Sequence, residues 1–345
     1  MPIAPNPPVS VEELEEALAQ PSAQLLEDFA AIDGDIMVLG AGGKMGPTLC
    51  MLAARARDIV GGTQKILAVS RWSDSAAAER LAAAGVEIVP SDLSEPSAWD
   101  SLDIPEHVVY MVGKKFGTGT EPWLTWETNS YLAGRACEYL RGRAVAMFSS
   151  GNVYPYVAVR DGGSLESDAL GPVGEYAQSC VARERHFQGL AASGAARVSI
   201  LRLTYAVETR YGVIADIGAR ILAGAPVDVT TGIVNVCWQG WANEVALRSL
   251  LRASSPATVV NVAGPEAVST AWIARELGRL LGKEPVIEGT PADTAMISNA
   301  VATHGEYGYP TLPLDTVLRW TASWLTDGLP MLGKPTHFAV RDGAY

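Results

Sequence analysis

Short apolar runs punctuate residues 35–203 at regular intervals, and between them lie segments whose apolar positions recur every three or four residues. The runs near 35–39, 65–70, 86–90, 107–113, 144–149 and 198–203 have the length of buried strands, and the stretches near 46–60, 74–84, 95–102, 123–141 and 175–193 predict helices. Apolar strands alternating with helices imply an α/β fold: a doubly wound parallel sheet covered on both faces. After residue 205 the rhythm shortens. Helices are expected near 213–223, 241–252, 269–281 and 314–325, with strands near 227–229 and 258–262, as a smaller carboxyl-terminal lobe over the ligand edge of the sheet. At the other end, proline-rich residues 2–8 lead into a helix-favouring segment, Ser10 to Ala31. Its Val9, Leu14, Leu18, Leu25 and Leu26 form an apolar stripe suited to packing on the outside of the main domain. The chain divides accordingly into an extension (1–33), a main domain (34–205) and a lobe (206–345), with some chain returning from the lobe to the sheet.

The first strand runs directly into glycines. Residues 36–46 read Ile-Met-Val-Leu-Gly-Ala-Gly-Gly-Lys-Met-Gly, a Gly40-x-x-Gly43-x-x-Gly46 series between strand and helix. Gly40 allows the sharp turn, Gly43 lets backbone approach a diphosphate, and Gly46 lets the helix pack closely on the strand. The helix amino end, with unpaired N–H groups in the Lys44–Met45 region, then faces an anion. Pro47 suits this position because its missing N–H would be unpaired in the first turn.

Composition narrows the reading. With 345 residues and 48% hydrophobic content, the chain has ample material for a buried core. A formal charge of −12 argues against a general nucleic-acid binder. Cysteines 50, 137, 180 and 237 show neither paired nor dense spacing, and His107, His186, His304 and His337 show no metal spacing, so no metal is expected. His304 reads as a surface histidine. No secretory leader and no membrane-length apolar run is present, which places the protein in the cytoplasm as an expectation.

Two strand ends carry further chemistry. The second strand ends in Ser70-Arg71, where an NAD-binding chain often has an acidic residue; Arg71 offers a cation for a 2′-phosphate, or is a solvated surface arginine. The third ends near Asp92-Leu93, which reads either as an adenine contact or as a cap on the next helix.

Together these pieces resemble the extended short-chain dehydrogenase/reductases of the NAD-dependent epimerase/dehydratase family. The resemblance spans residues 35–325 and rests on the glycine series, Asp92-Leu93, Val112-Gly113-Lys114-Lys115, Asn129, Ser149-Ser150-Gly151-Asn152-Val153-Tyr154, Tyr176, Leu201-Arg202-Leu203-Thr204-Tyr205 and Val260-Asn261-Val262-Ala263-Gly264-Pro265. It implies a Rossmann-type fold and NAD or NADP as cofactor, NADP being favoured by Ser70-Arg71. The cofactor-binding set is then Gly40, Gly43, Lys44, Met45, Gly46, Ser70, Arg71, Asp92, Leu93, Gly113, Lys115 and Tyr176. It also implies Tyr176 as general acid or base and Ser150 as stabiliser of the reacting oxygen. The substrate is then a small carbohydrate-like molecule: a sugar, sugar acid or nucleotide sugar. Asn152, Trp123, Tyr205, Arg210 and Trp241 are the candidates to contact it, and Arg202 is a second candidate for an anionic group or else a sheet-end ion pair. The resemblance further implies a homodimer formed through helices 123–141 and 175–193.

One position departs from the family. The lysine usually found four residues after the tyrosine is Cys180 here. A free tyrosine near pKa ~10 is ionised to only about one part in a thousand at pH 7, and a neighbouring cation lowers that value. Three consequences stay open: Lys114 or Lys115 replaces the cation, the charge of the oxidised cofactor suffices, or the chain binds nucleotide without redox turnover. Cys180 as a nucleophile lacks an activating histidine nearby, Arg183 is either close by on the helix or solvated, and a non-redox isomerase or lyase is a further alternative.

Overall fold

A single sheet of parallel strands organises the chain, and its strands are β1 (Ile36–Leu39), β2 (Ile66–Ser70), β3 (Glu87–Pro90), β4 (His107–Tyr110), β5 (Ala144–Ser150), β6 (Arg197–Leu203) and β7 (Thr258–Val262). Their order is β7-β6-β5-β4-β1-β2-β3. The computed structural model describes residues 5–118, 120–334 and 336–344; of the proline-rich start, residues 2–4 lie outside the described residues. Strands β1, β4 and β5 are buried along their whole length, as continuous apolar runs require in a sheet covered on both faces. The strand order reverses between β1 and β4, and there the carboxyl ends of the strands open a crevice. The late strand β7 pairs in parallel with β6 from Ser199↔Thr258 to Leu203↔Val262.

The helix-favouring segment Ser10 to Ala31 forms two helices, α1 (Val11–Leu18) and α2 (Ala23–Ala30). Pro21 lies between them, and Ser10 and Ser22 cap one helix each, accepting from Glu13 N and Leu25 N. The stripe is also split. Leu14 and Leu18 enter the core of the lobe, Leu25 and Phe29 enter the core under the sheet, and Val9 stays exposed. The extension therefore wedges between the two parts instead of covering one from outside.

Helices α3 (Gly46–Val60), α4 (Ser75–Ala83) and α5 (Pro96–Asp100) follow the first three strands. The stretch 123–141 is not one uniform helix. It is built as α6 (Pro122–Trp126), a π-helical turn (Glu127–Tyr131) and α7 (Leu132–Tyr139), and then α8 (Gly174–Ala192) runs beneath the site. In the lobe, α9 (Val213–Ala223), α11 (Thr270–Leu281) and α13 (Leu314–Thr326) share an apolar core that includes Ile217, Leu277 and Trp324. Helix α10 (Gln239–Arg248) is buried on every face, and α12 (Val301–Tyr307) packs beside β7. The carboxyl-terminal residues run back across the lobe. Thr336 donates from its N and Oγ1 to Asp216 at 2.7 and 2.6 Å, and Gly343 sits against Val173 and Gly174 at the start of α8. Among the described residues no helix is long and apolar enough to cross a membrane.

Candidate active site

The glycine series forms a cradle at the crevice. Gly40 has φ +86°, and a Cβ there would lie 3.0 Å from the backbone of Met111 and Val112 at the end of β4. A Cβ on Gly46 would lie 2.2 Å from the Ala41 carbonyl oxygen, so only glycine lets α3 start this close to the strand. Gly43 donates to the Gly40 carbonyl at 3.1 Å, and α3 begins without a side-chain cap. Its first N–H groups therefore have no capping side chain as partner. Gly42 adds to the cradle in a way the triplet did not reveal: a Cβ there would meet Ser70 Oγ at 2.5 Å.

A cleft of about 290 Å³ continues from this cradle, lined by Gly40, Gly43, Ser70, Arg71, Asp92, Leu93 and Gly113 among others. Seven of the twelve residues expected to hold a cofactor thus line one cleft, from four strand ends, whereas Lys44, Met45, Gly46, Lys115 and Tyr176 do not line it. Arg71 is exposed in the cleft, within electrostatic reach of Asp92. Asp92 accepts from Ser94 N and Oγ at 3.0 and 2.7 Å, and these bonds hold its carboxyl below the usual range.

Two lysines belong to the same region. Burial, and then the charge of Lys115, push Lys44 down to about 7; its ammonium lies 3.0 Å from the centre of the Tyr211 ring. Burial also lowers Lys115 to about 8, and its Nζ donates to the Thr336 carbonyl at 3.3 Å. Lys114 turns away toward Glu121.

Ser150 ends β5, and its Oγ donates to Asn152 Oδ1 at 2.9 Å and accepts from Asn152 N at 3.2 Å. Tyr176, in the first turn of α8, lies within electrostatic reach of Ser150. Burial pushes the Tyr176 phenol above its ordinary value; Cys180 adds to this, whereas Arg183 and Ser150 oppose it. The loop after β4 is fixed to this helix by Asn129, which is fully buried in the π-helical turn. Asn129 Oδ1 accepts from Lys114 N at 2.8 Å, while its Nδ2 donates to the Lys114 carbonyl and to Ser179 Oγ, both at 2.9 Å. Wide π turns recur at functional sites because they turn an additional side chain inward.

Arg183 is the residue that sequence reasoning left undecided. It is 4% exposed, and its guanidinium folds back along α8, with Nη1 donating to the Val112 carbonyl and Nη2 to Cys180 Sγ, each at 3.0 Å. Its position seven residues after Tyr176, on the same helix face, was the available signal.

The substrate candidates separate. Asn152 stands beside Ser150, and Tyr205, at φ +47°, sits at the end of β6. Trp241 is not at the site: it is 2% exposed in the core and packs on His304, ring centroids 5.6 Å apart. Trp123 is 62% exposed on α6. Arg210 is paired with Glu208 at 3.1 Å and Glu15 at 3.4 Å, so its charge is already neutralised. Arg202 makes the sheet-end ion pair, with Glu184. His304 is buried, not superficial, with Nε2 3.1 Å from the Ala263 carbonyl oxygen.

The order of these elements defines a class, and sequence comparison agrees with it. The profile of the NAD dependent epimerase/dehydratase family matches residues 36–232, more than half of the chain, and the protein belongs to that family. No curated relative matches. Among solved structures, the chain is similar to MoeE5 in complex with UDP-glucose and NAD (19% identity, TM-score 0.70, covering 86% of this chain and 99% of that one). It is also similar to a UDP-glucuronic acid 4-epimerase from Bacillus cereus in complex with a fluorinated UDP-glucuronic acid analogue and NAD (14%, 0.72, 84% and 98%). A UDP-glucose 4-epimerase from Thermus thermophilus in complex with NAD is a third (18%, 0.70, 84% and 98%).

Proposed function

We propose that this protein is an NAD(P)-dependent oxidoreductase or epimerase acting on a hydroxyl or carbonyl of a carbohydrate-like molecule. The observation that carries the reading is that Tyr176 of α8 lies within electrostatic reach of Ser150 at the end of β5, on the same sheet whose β1 end bears a glycine cradle with donors suited to a diphosphate. Gly40, Gly43, Met45 and Gly46 would hold the diphosphate, while Ser70, Arg71 and Asp92 would face the adenosine end. A bound nicotinamide supplies hydride exchange with the substrate carbon. Tyr176 exchanges the proton of the reacting oxygen: it takes the proton as the hydroxyl becomes a carbonyl and returns it in the reverse direction. Ser150 donates to the same oxygen and steadies its charge, while Asn152 orients Ser150.

Three structures with bound UDP-sugars or NAD support a nucleotide sugar, sugar or sugar acid as substrate and a dinucleotide as cofactor. Arg71 favours NADP over NAD. A homodimer through the segment 123–141 and the helix at 175–193, and a cytoplasmic location, complete the reading. The test is calorimetry with NAD and NADP, followed by a screen of sugars for absorbance change at the nicotinamide band. Absence of dinucleotide binding rejects the proposal, and turnover that survives Tyr176→Phe rejects the role of the tyrosine.

A second reading, a nucleotide-binding protein without turnover, draws on Cys180 and on the raised phenol of Tyr176. Binding without turnover on any substrate of the screen favours it.

A further inference from the structure

Tyr176, Cys180 and Arg183 occupy one face of α8, four and then three residues apart. Helical side chains lean toward the amino end of their helix, so a long side chain at 183 is directed back over the turn that carries 180. The arginine completes that reach with its 3.0 Å contact to Cys180 Sγ.

The charge it brings has no carboxylate. Among the described residues three arginines are buried: Arg183, Arg202 and Arg248. Arg202 pairs with Glu184, and Arg248 pairs with Asp28 and Glu244. Arg183 has a carbonyl and a sulfur instead, and its buried Nε has no partner. An uncompensated buried guanidinium is unfavourable, so its neighbour must supply the negative charge when that charge forms. The neighbours within electrostatic reach are Cys180, Tyr176 and Tyr110.

We propose that Arg183, acting across Cys180, supplies the positive charge that serves the phenol of Tyr176. This inference rests on the proposed role of Tyr176. Arg183 is a positioning residue, since it touches the thiol and the Val112 carbonyl and not the reacting atoms. The replacement at 180 acquires a reason: a lysine there would set a second cation against the guanidinium, whereas the small cysteine side chain leaves room for the guanidinium to fold back onto it. Cys180 and Arg183 thus form a matched pair. The other charged group near Cys180 is Lys115, which enters from the loop after β4 with Asp216 of α9 beyond it.

The experiment places a fluorinated tyrosine, whose phenol is more acidic than that of tyrosine, at position 176 of the full chain and follows its titration by fluorine NMR without dinucleotide. Arg183→Met is expected to raise the midpoint by about one pH unit or more. The double variant Cys180→Lys/Arg183→Met, which returns a cation to the turn after Tyr176, is expected to bring it back to the parent value or lower, and Lys115→Met to move it less than Arg183→Met. Coincident curves for parent and Arg183→Met, two flat ones included, overturn the proposal. Where Arg183→Met does not fold, the double variant decides: a midpoint at the parent value supports the charge reading, and one displaced upward overturns it. Dinucleotide calorimetry on the same samples separates the two claims. Binding with coincident titrations removes only the role of Arg183, whereas a parent that does not bind removes the enzymatic reading and leaves the titration intact.

Discussion

Glu184 and Arg202 form a two-point ion pair inside the protein, with Nε to Oε1 at 3.0 Å and Nη2 to Oε2 at 2.8 Å, and neither side chain is more than 4% exposed. Ser149 donates to the same carboxylate at 2.6 Å, one residue before the proposed stabiliser Ser150. The pair therefore fastens α8 to the ends of β5 and β6. Glu184→Leu, which strands the guanidinium, is expected to cost about 3–5 kcal/mol by chemical denaturation, and adding Arg202→Met should recover much of that loss. Full additivity of the two changes would show that the pair is not coupled.

Gly46 tests the cradle. The methyl of Gly46→Ala meets backbone, not a yielding side chain, so about 1–3 kcal/mol of stability should be lost. Displacement of the α3 amino end should also weaken dinucleotide binding by roughly tenfold, about 1.4 kcal/mol. Unchanged melting and calorimetry would mean that the turn yields freely.

Arg71 tests cofactor choice. Because the side chain is exposed, Arg71→Ala is expected to weaken NADP by roughly tenfold, at the lower end for a hydrogen bond to a charged group, and to leave NAD nearly unaffected. Equal loss for both dinucleotides would count against 2′-phosphate recognition.

Lys44 makes binding depend on pH. Burial, then Lys115, hold it near 7, against an ordinary value of 10.5. Between those values the unfolded chain keeps a proton that the folded chain has released, so this group makes stability rise with pH across that window and penalises the fold below it. An anion arriving at the cradle favours the ammonium, so dinucleotide binding at about pH 8 should take up protons, measured by calorimetry in buffers of different ionisation heat. Lys44→Met should reduce that uptake, with the remainder carried by Lys115. Buffer-independent heats in the parent would refute the linkage.

The parts of the fold that depend on short-range pattern were legible in the chain. Apolar runs located strands β1 to β7, and the glycine spacing located the cradle, because turn geometry and close packing restrict those positions locally. The apolar stripe of residues 9–26 marked the amino-terminal segment as helix-favouring, but not that its leucines divide between two cores. What tertiary packing decides was not readable. The π turn around Asn129, the commitment of Arg210 to Glu15 far ahead of it, and the burial of Trp241 and His304 all depend on elements distant in sequence. Arg183 is the instructive case: its spacing from Tyr176 was plain, but whether its guanidinium turned inward depended on the Val112 carbonyl from the loop after β4.

The segment 206–257 leaves the sheet at β6 and re-enters it at β7, the strand directly alongside. Its two attachments are thus neighbouring strands laced together along five residue pairs. A lobe moored in this way has its two ends held one strand apart, and they cannot separate without breaking that ladder. The returning tail adds a third tie, since Thr336 bonds Asp216 of α9 and its carbonyl accepts from Lys115 of the loop after β4.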